Sequence, residues 1–203
     1  MNIIQTDIEG LLILEPRVFQ DARGYFFESF SQRDFDAQVA PLLGHTVNFV
    51  QDNESMSSYG VVRGLHFQNP PYTQAKLVRC VQGRVLDVAV DIRKGSPTFM
   101  QHVAVEISEE NHLQFFIPKG FAHGFAMLSE IAVFQYKCDE FYHPEADAGI
   151  QLLDPALGID WQIPWDRAIM SEKDRLRPTL AETGTPFEFR YSGPDPESHP
   201  VKL

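Results

Sequence analysis

Three short segments place ionisable side chains beside glycine or proline, where the backbone is constrained and side chains are presented in fixed positions. These segments are 60–66 with Arg63 and His66, 118–124 with Lys119 and His123, and 171–174 with Lys173 and Asp174. Histidine exchanges protons near neutral pH, and the cationic side chains bind anions, so the segments are candidates for acid–base chemistry. A single strand histidine is nevertheless more often structural, and 171–174 alone is typical of a solvated turn.

The second segment, Pro118-Lys119-Gly120-Phe121-Ala122-His123-Gly124, resembles the second motif of the cupin family. Metal-binding cupins combine this motif with an upstream His-x-His and a glutamate. Here His66 is followed by Phe67-Gln68, so the three or four donors of a metal site are incomplete. We expect no metal and no other cofactor. His102 or His112 could complete a site only in an unusual geometry.

The composition predicts an all-β protein. The 203 residues include 14 Pro, 13 Gly and 16 Phe spread along the chain, which favours many short segments joined by turns. With the cupin resemblance, this predicts a double-stranded β-helix, the cupin or jelly-roll barrel, with a few short peripheral helices. We expect one domain over residues 1–180 and an extended or mobile tail over 181–203, which is rich in Pro, Glu, Gly and Ser.

Alternation identifies the strands, most clearly in segment 84–92. Leu86, Val88 and Val90 share one face there, while Asp87 and Asp91 lie on the other. We expect the apolar face to pack against a second sheet and the carboxylates to face solvent or a polar cavity. Further strands are predicted over 24–30, 75–81, 101–107, 112–117, 121–128 and 131–141, and a first helix is predicted from the cap Ser31 to about Val39.

Charge and targeting signals exclude several classes of protein. The net charge of -11 argues against binding to nucleic acid or to a membrane surface. The first residues carry no signal-peptide pattern and no apolar run approaches a membrane-spanning length, so we expect a cytoplasmic protein. Cys80 and Cys138 have no spaced partners and are predicted to be buried free thiols.

Beyond the cupin motif, the chain resembles the dTDP-4-dehydrorhamnose 3,5-epimerase family from about residue 10 to residue 178. The matching motifs are Asp21-Ala22-Arg23-Gly24-Tyr25-Phe26, Gln51-Asp52-Asn53, Arg63-Gly64-Leu65-His66, Gln74 to Val78, Asp87 to Asp91, Ile117 to Phe125, Tyr136-Lys137, Gly149-Ile150, Asp154-Pro155 and Ser171-Glu172-Lys173-Asp174. A chance match of this extent is implausible.

The resemblance implies epimerisation at C3 and C5 of dTDP-4-dehydro-6-deoxy-D-glucose, a step of deoxysugar biosynthesis of the dTDP-L-rhamnose type. The C4 ketone acidifies the hydrogens on both carbons, so a base can form an enolate that is reprotonated from the other face. By resemblance, His66 is the base, Asp174 orients it and Tyr136 is the acid. Lys76 stabilises the enolate oxygen.

The resemblance also implies a set of residues that bind the substrate. They are Arg23, Glu28, Gln51, Asp52, Asn53, Arg63, Lys76, His123, Tyr142, Asp147 and Lys173. Tyr142 matches an aromatic residue that stacks on thymine, and the basic members would offset the acidic net charge around the diphosphate. Several family members carry Glu at Asp147. The family also implies a homodimer in which an N-terminal strand reaches the partner's site.

The sequence is compatible with several alternatives. A relative that epimerises only C3 or only C5, or a ketoisomerase, would use the same barrel and histidine. A metal-dependent cupin enzyme and a non-enzymatic sugar-nucleotide-binding protein are weaker alternatives. Two geometric points are also open: Tyr136 could be a core aromatic, and alternation puts Arg63 and His66 on opposite faces unless Gly64 marks a bulge.

Overall fold

Strands dominate the computed structural model, which describes residues 1–189. The strands are β1 Asn2–Gln5, β2 Leu12–Glu15, β3 Phe19–Asp21, β4 Gly24–Phe26, β5 Gln51–Ser58, β6 Val62–Gln68, β7 Lys76–Gln82, β8 Arg84–Asp91, β9 His102–Ser108, β10 Gln114–Ile117, β11 Phe121–Met127, β12 Ile131–Cys138 and β13 Asp147–Gly149. The helices are α1 Gln32–Gln38, α2 Ala40–Leu43, α3 Glu172–Arg175 and α4 Leu180–Thr183. None of these helices is long and apolar enough to cross a membrane.

Two antiparallel sheets form the barrel. One has the order β1-β2-β10-β7-β12-β5 and the other the order β13-β6-β11-β8-β9, while β3 and β4 form a separate hairpin. Apolar side chains from both sheets meet between them, including Val78 and Phe134 from the first sheet and Phe121 and Phe125 from the second. The predicted all-β jelly-roll barrel with a few short helices is confirmed.

The two faces of β8 pack against different partners from those that we predicted. Val85 and Ala89, on the face that carries Asp87 and Asp91, pack between the two sheets. The face of Leu86 is covered instead by a cluster with Leu152, Leu157, Trp161 and Ile163, from the irregular segment after β13. The prediction that the apolar face meets the second sheet is therefore wrong, because this later segment supplies enough apolar surface to cover the outside of the barrel.

The first helix is confirmed as predicted. Ser31 is its N-cap and accepts a hydrogen bond from the backbone N–H of Asp34, and Val39 is its C-cap. Phe35 packs with Leu77 and Phe116 on the outer face of the first sheet. The predicted strand 24–30 is shorter in the structure and ends at Phe26.

Other strands also begin or end at residues that differ from the prediction. The strand expected from residue 112 begins at Gln114, because His112 has a φ of 53° in the turn before it. The strand expected to reach residue 141 ends at Cys138. Cys80 and Cys138 are both buried and free, as predicted.

The chain after residue 180 is packed as far as the structure describes it. Residues 181–183 belong to α4, whose N-cap Thr179 forms a capping box with Glu182. Phe187 is buried against Phe67 of β6. The prediction of an extended or mobile tail is therefore wrong for residues 181–187, and the rest of that prediction, from residue 190 on, lies outside the described residues.

Candidate active site

A bulge in β6 brings Arg63 and His66 to one pocket. The pairing of β6 with β11 passes from Arg63 opposite Phe125 to His66 opposite His123, so two residues of β6 face Gly124 alone. Gly64 has a φ of 132°, and a Cβ there would lie 2.5 Å from the Cα of Gly124. The predicted bulge at Gly64 is thus confirmed, and Arg63 and His66 both line an open pocket of about 580 Å³.

His66 and Asp174 form a dyad in this pocket. His66 Nε2 lies 2.5 Å from Asp174 Oδ1, and the Asp174 side chain is 5% exposed. Burial opposes ionisation of Asp174, but hydrogen bonds from His66 and Ser171 and the charge of Arg177 lower its pKa overall. An ionised carboxylate only accepts hydrogen bonds, so Nε2 carries the hydrogen and Nδ1 is left free to take a proton.

Helix α3 explains why Asp174 is fixed in place. Its N-cap Ser171 accepts a hydrogen bond from the backbone N–H of Asp174, and this turn of helix begins one residue after the cap. The carboxylate therefore projects from the first turn, where the helix dipole favours negative charge. The segment 171–174 is therefore more than a solvated turn.

Asp147 joins two cations at the rim of the pocket. It accepts a short hydrogen bond from Lys173 Nζ and lies 2.8 Å from Arg177 Nη2. Burial opposes ionisation of Asp147, but these two partners lower its pKa overall. Arg177 was not predicted from the sequence, because it lies in an irregular segment and no local pattern marked it.

Lys76 and Tyr136 lie side by side on the inner face of the first sheet. Val78, which follows Lys76 on this face, is paired with Tyr136, and Lys76 Nζ lies 5.8 Å from the centroid of the Tyr136 ring. Burial lowers the pKa of Lys76, although the charges of Cys138, Asp87 and Asp147 oppose this effect. Burial also raises the pKa of Tyr136, with Arg63 opposing. Tyr136 therefore keeps its proton at neutral pH.

His123 is held deep in the barrel by Asp87. Its Nε2 lies 3.0 and 2.9 Å from the two carboxylate oxygens, and both residues are buried. Burial lowers the pKa of His123 and the charge of nearby Lys76 acts in the same direction, while Asp87 opposes them. Of the two predicted surroundings of Asp87, solvent or a polar cavity, the structure shows the second.

One face of β5 continues the polar lining. Gln51 and Asn53 lie on the inner face, and Gln51 Nε2 donates to Asn53 Oδ1 over 3.0 Å. Ser57, on the same face, accepts a hydrogen bond of 2.9 Å from Arg63 Nη2. Ser57 was not predicted from the sequence, although the two-residue alternation continued from Gln51 and Asn53 leads to it.

Tyr142 lies at the mouth of the same pocket, in the loop between β12 and β13. Its side chain is 53% exposed, and its backbone N–H donates to Gln51 Oε1 over 3.2 Å. An exposed aromatic ring next to polar and cationic groups is suited to stacking on a planar ligand.

Three predicted binding residues lie outside the interior of the barrel within one chain. Asp52 lies on the outer face of β5 and pairs with Lys137 at 2.7 Å. Arg23 is 91% exposed at the turn between β3 and β4 and pairs with Asp21. Glu28 lines a different cavity, near α1. The role of all three residues in binding stays a prediction.

The arrangement combines a carboxylate-supported imidazole at the pocket with a protonated phenol and an ammonium group deeper in the barrel. Such groups on separate elements suit removal and return of a proton beside a carbonyl, with the ammonium group available to a developing oxyanion. In the part of the chain that the structure describes, no group of three or more His, Cys, Asp or Glu side chains is arranged to hold a metal ion.

Comparison with known proteins gives one consistent family. A family model described as dTDP-4-dehydrorhamnose 3,5-epimerase matches residues 5–182. The dTDP-4-dehydrorhamnose 3,5-epimerase of Escherichia coli (strain K12) is 54% identical over 182 residues, which cover 90% of this chain and 96% of the relative.

Solved structures extend the comparison to the fold and to bound ligands. A dTDP-6-deoxy-D-glucose-3,5-epimerase of Legionella pneumophila in complex with dTDP-4-keto-L-rhamnose has a TM-score of 0.86 and 49% identity, covering 95% of this chain and 99% of that chain. A 3'-monoepimerase of Streptomyces bikiniensis in complex with dTDP-quinovose has a TM-score of 0.78 and 35% identity, covering 87% of this chain and 86% of that chain.

Proposed function

Since the chain belongs to the dTDP-4-dehydrorhamnose 3,5-epimerase family, we propose that it converts dTDP-4-dehydro-6-deoxy-D-glucose to dTDP-4-dehydro-L-rhamnose. It is an isomerase that inverts C3 and C5 beside the C4 ketone. The observation that carries the mechanism is the 2.5 Å contact between His66 and Asp174 in an open pocket.

His66 removes the proton from carbon in this mechanism. Nδ1 takes the proton, and the electrons of the C–H bond form an enolate whose negative charge lies on the C4 oxygen. Asp174 holds the ring through Nε2 and stabilises the imidazolium ion that forms. The lowered pKa of Asp174 supports this role, because only the ionised carboxylate stabilises a positive ring.

Lys76 and Tyr136 complete the reaction. The ammonium group of Lys76 stabilises the enolate oxygen, and the phenol of Tyr136 donates its proton to the opposite face of the same carbon. His66 then releases its proton to solvent, and Tyr136 takes one up. The raised pKa of Tyr136 supports its role as an acid, since the group is protonated before the reaction.

The nucleotide end of the substrate binds at the pocket mouth. Arg63 and Lys173 contact the diphosphate there, while Tyr142 stacks on thymine. His123, Gln51, Asn53 and Asp147 provide further contacts. Asp52 stays a predicted contact, although its side chain pairs with Lys137 on the outer face of β5. The relative with bound dTDP-4-keto-L-rhamnose supports a dTDP-sugar as ligand.

The remaining predicted contacts, Arg23 in the β3–β4 hairpin and Glu28 just after it, act in a homodimer in which this N-terminal part of one subunit reaches the other's pocket. This hairpin exposes Phe19, Tyr25 and Phe26, whose side chains are 51%, 58% and 70% exposed, so apolar surface is available for a second copy. Sedimentation of the active enzyme tests the arrangement. A fully active monomer would contradict it.

We place the enzyme in the cytoplasm and expect no nucleic-acid or membrane partner. The two buried free thiols agree with a reducing compartment. The acidic net charge of -11 disfavours polyanionic partners.

Proton NMR of dTDP-4-dehydro-6-deoxy-D-glucose incubated with the protein in deuterated water tests the proposed function. We expect deuterium at both C3 and C5 and a product with both centres inverted. His66→Ala is expected to abolish both exchanges, whereas Tyr136→Phe keeps some exchange at carbon because the base remains.

The main alternative is inversion at a single carbon, as in the 3'-monoepimerase that shares the fold at 35% identity. Deuterium at only one carbon would establish that alternative. Binding without any exchange would instead indicate a binding protein, and loss of activity with a chelator would indicate a metal-dependent enzyme.

A further inference from the structure

Gln68 is a buried amide that the proposed mechanism does not use. It lies on β6 two residues after His66, on the same face, at the position where metal-binding cupins carry their second histidine. Its side chain is turned to the backbone of two loops, and the residue is only 4% exposed. A buried polar group of this kind needs partners, so its contacts indicate what it does.

The amide group of Gln68 makes three hydrogen bonds, all to backbone atoms. Nε2 donates to the carbonyl oxygens of Tyr72 at 2.6 Å and Phe141 at 3.1 Å. Oε1 accepts from the backbone N–H of His143 at 2.7 Å. Both hydrogens of Nε2 and one lone pair of Oε1 are thereby satisfied.

Two of these bonds bracket Tyr142. Phe141 and His143 are its direct neighbours in the chain, and the Gln68 amide pairs with their C=O and N–H as a neighbouring strand would. The backbone of Tyr142 is held by Gln51 as well, over 3.2 Å. The position of Tyr142 is thus set by side chains rather than by a continuous strand ladder.

The remaining bond, from Gln68 Nε2 to the carbonyl oxygen of Tyr72, connects the loop of Tyr142 to the loop that carries Tyr72. The rings of Tyr72 and His143 are stacked with centroids 3.6 Å apart and an angle of 13° between their planes. The amide of Gln68 therefore supports a second contact between the same two loops. Only a side chain with both donor and acceptor atoms makes all three bonds at once.

We propose that Gln68 is a positioning residue that holds Tyr142 at the mouth of the pocket and so sets the affinity for the nucleotide part of the substrate. This inference rests on the proposed contact between Tyr142 and thymine. It adds that the amide at the second-histidine position of the cupin motif, which provides no metal ligand here, fixes the nucleotide-binding loop.

A double-mutant cycle with dTDP as the probe tests this proposal. Gln68→Glu keeps the acceptor for His143 but removes both donors, and Gln68→Met removes all three bonds at similar volume. We expect each to weaken dTDP binding by about 10-fold, as loss of hydrogen bonds to buried groups does. KM for the dTDP-sugar should rise in parallel while kcat changes by less than about 2-fold, the pattern of lost uniform binding.

The decisive comparison uses Tyr142→Ala. If Gln68 acts through Tyr142, its substitution costs no further dTDP affinity in the Tyr142→Ala background. Gln162→Glu, a matched change at an exposed position, should leave binding unchanged. Calorimetric titration gives the affinities, and thermal unfolding shows whether each variant is folded.

The possible results separate the inference from the proposed function. Equal losses in both backgrounds would overturn the positioning role while leaving the Tyr142 contact intact. Unchanged dTDP affinity in Tyr142→Ala would overturn that contact and the inference with it. A fall in kcat at constant KM would also overturn the inference, because it would place the effect of Gln68 in the proton-transfer steps.

Discussion

His66 and Asp174 are 108 residues apart in the chain, yet Nε2 and Oδ1 of their side chains are 2.5 Å apart. The bulge of β6 turns the histidine to the pocket, and the N-cap of α3 turns the aspartate to the histidine. The two elements have no sequence relation, so the contact depends on the whole barrel.

Asp174→Asn should lower kcat by about 10²- to 10⁴-fold, the range of general acid–base contributions. The amide has nearly the same shape as the carboxylate but no charge to stabilise the imidazolium ion. KM should change little because Asp174 does not contact the substrate in our proposal. Steady-state kinetics measure both values, and a variant with near wild-type kcat would exclude the dyad from the reaction.

The alkaline side of the pH profile should depend on Lys76. Burial lowers the pKa of Lys76 and raises that of Tyr136, so burial moves deprotonation of the ammonium group toward neutral pH and deprotonation of the phenol away from it. We therefore expect kcat to fall with rising pH as Lys76 is deprotonated. Lys76→Met should lower kcat by about 10²- to 10³-fold, as removal of an oxyanion donor does.

Lys76→Arg provides the control for this assignment, because a guanidinium group stays charged throughout the accessible range. Whatever its absolute rate, its kcat should hold to higher pH than that of the wild type. If kcat falls over the same alkaline pH range in the variant and in the wild type, the titrating group is not Lys76.

The sequence was informative wherever side chains alternate and much less so for contacts between distant segments. Alternation identified β8 and its two faces, but not which face is internal. Both faces are buried, and the cover on one of them comes from an irregular segment without periodicity. Asp87 and Asp91 are internal because His123 and Arg93 satisfy them, and no local pattern records such partners.

The residues of the site also divide into those that the sequence could predict and those that it could not. The bulge at Gly64 was predictable because two residues that both serve the site fall on opposite faces of a regular strand. The rim cation Arg177 was not predictable, since its partner Asp147 lies 30 residues away and neither flanking sequence is periodic. For the pair of His66 and Asp174, only the family resemblance pointed to a contact, because charge and spacing along the chain do not encode it.

Gly64→Ala should lower both stability and activity. An added Cβ would meet the Cα of Gly124 at 2.5 Å, and it would displace the strand that carries His66. Gly95→Ala is the matched control, since Gly95 also has a positive φ of 86° but nothing lies within 4 Å of an added Cβ. We expect Gly64→Ala to lose about 1–3 kcal/mol more unfolding free energy than the control. Denaturant titration measures the difference, and equal losses would mean that the β6–β11 contact is not tight.

The buried carboxylate of Asp91 should control stability at acidic pH. Burial opposes its ionisation, but hydrogen bonds from Arg93, Ser96 and Thr98 lower its pKa overall. Because the pKa of Asp91 is lower in the folded protein, the ionised carboxylate stabilises the fold at pH values above the pKa of the unfolded chain, about 3.9. This stabilisation is lost as the pH falls through the pKa of the folded protein. Asp91→Asn should therefore lower the unfolding free energy at neutral pH by about 3–5 kcal/mol, as breaking a buried pair does. It should also flatten the loss of stability below about pH 4.

Asp34→Asn, which breaks the exposed pair with Arg33, is the control and should change stability far less. Urea titrations from neutral to acidic pH test this, and an acid dependence as steep in Asp91→Asn as in the wild type would assign the pH sensitivity to other carboxylates.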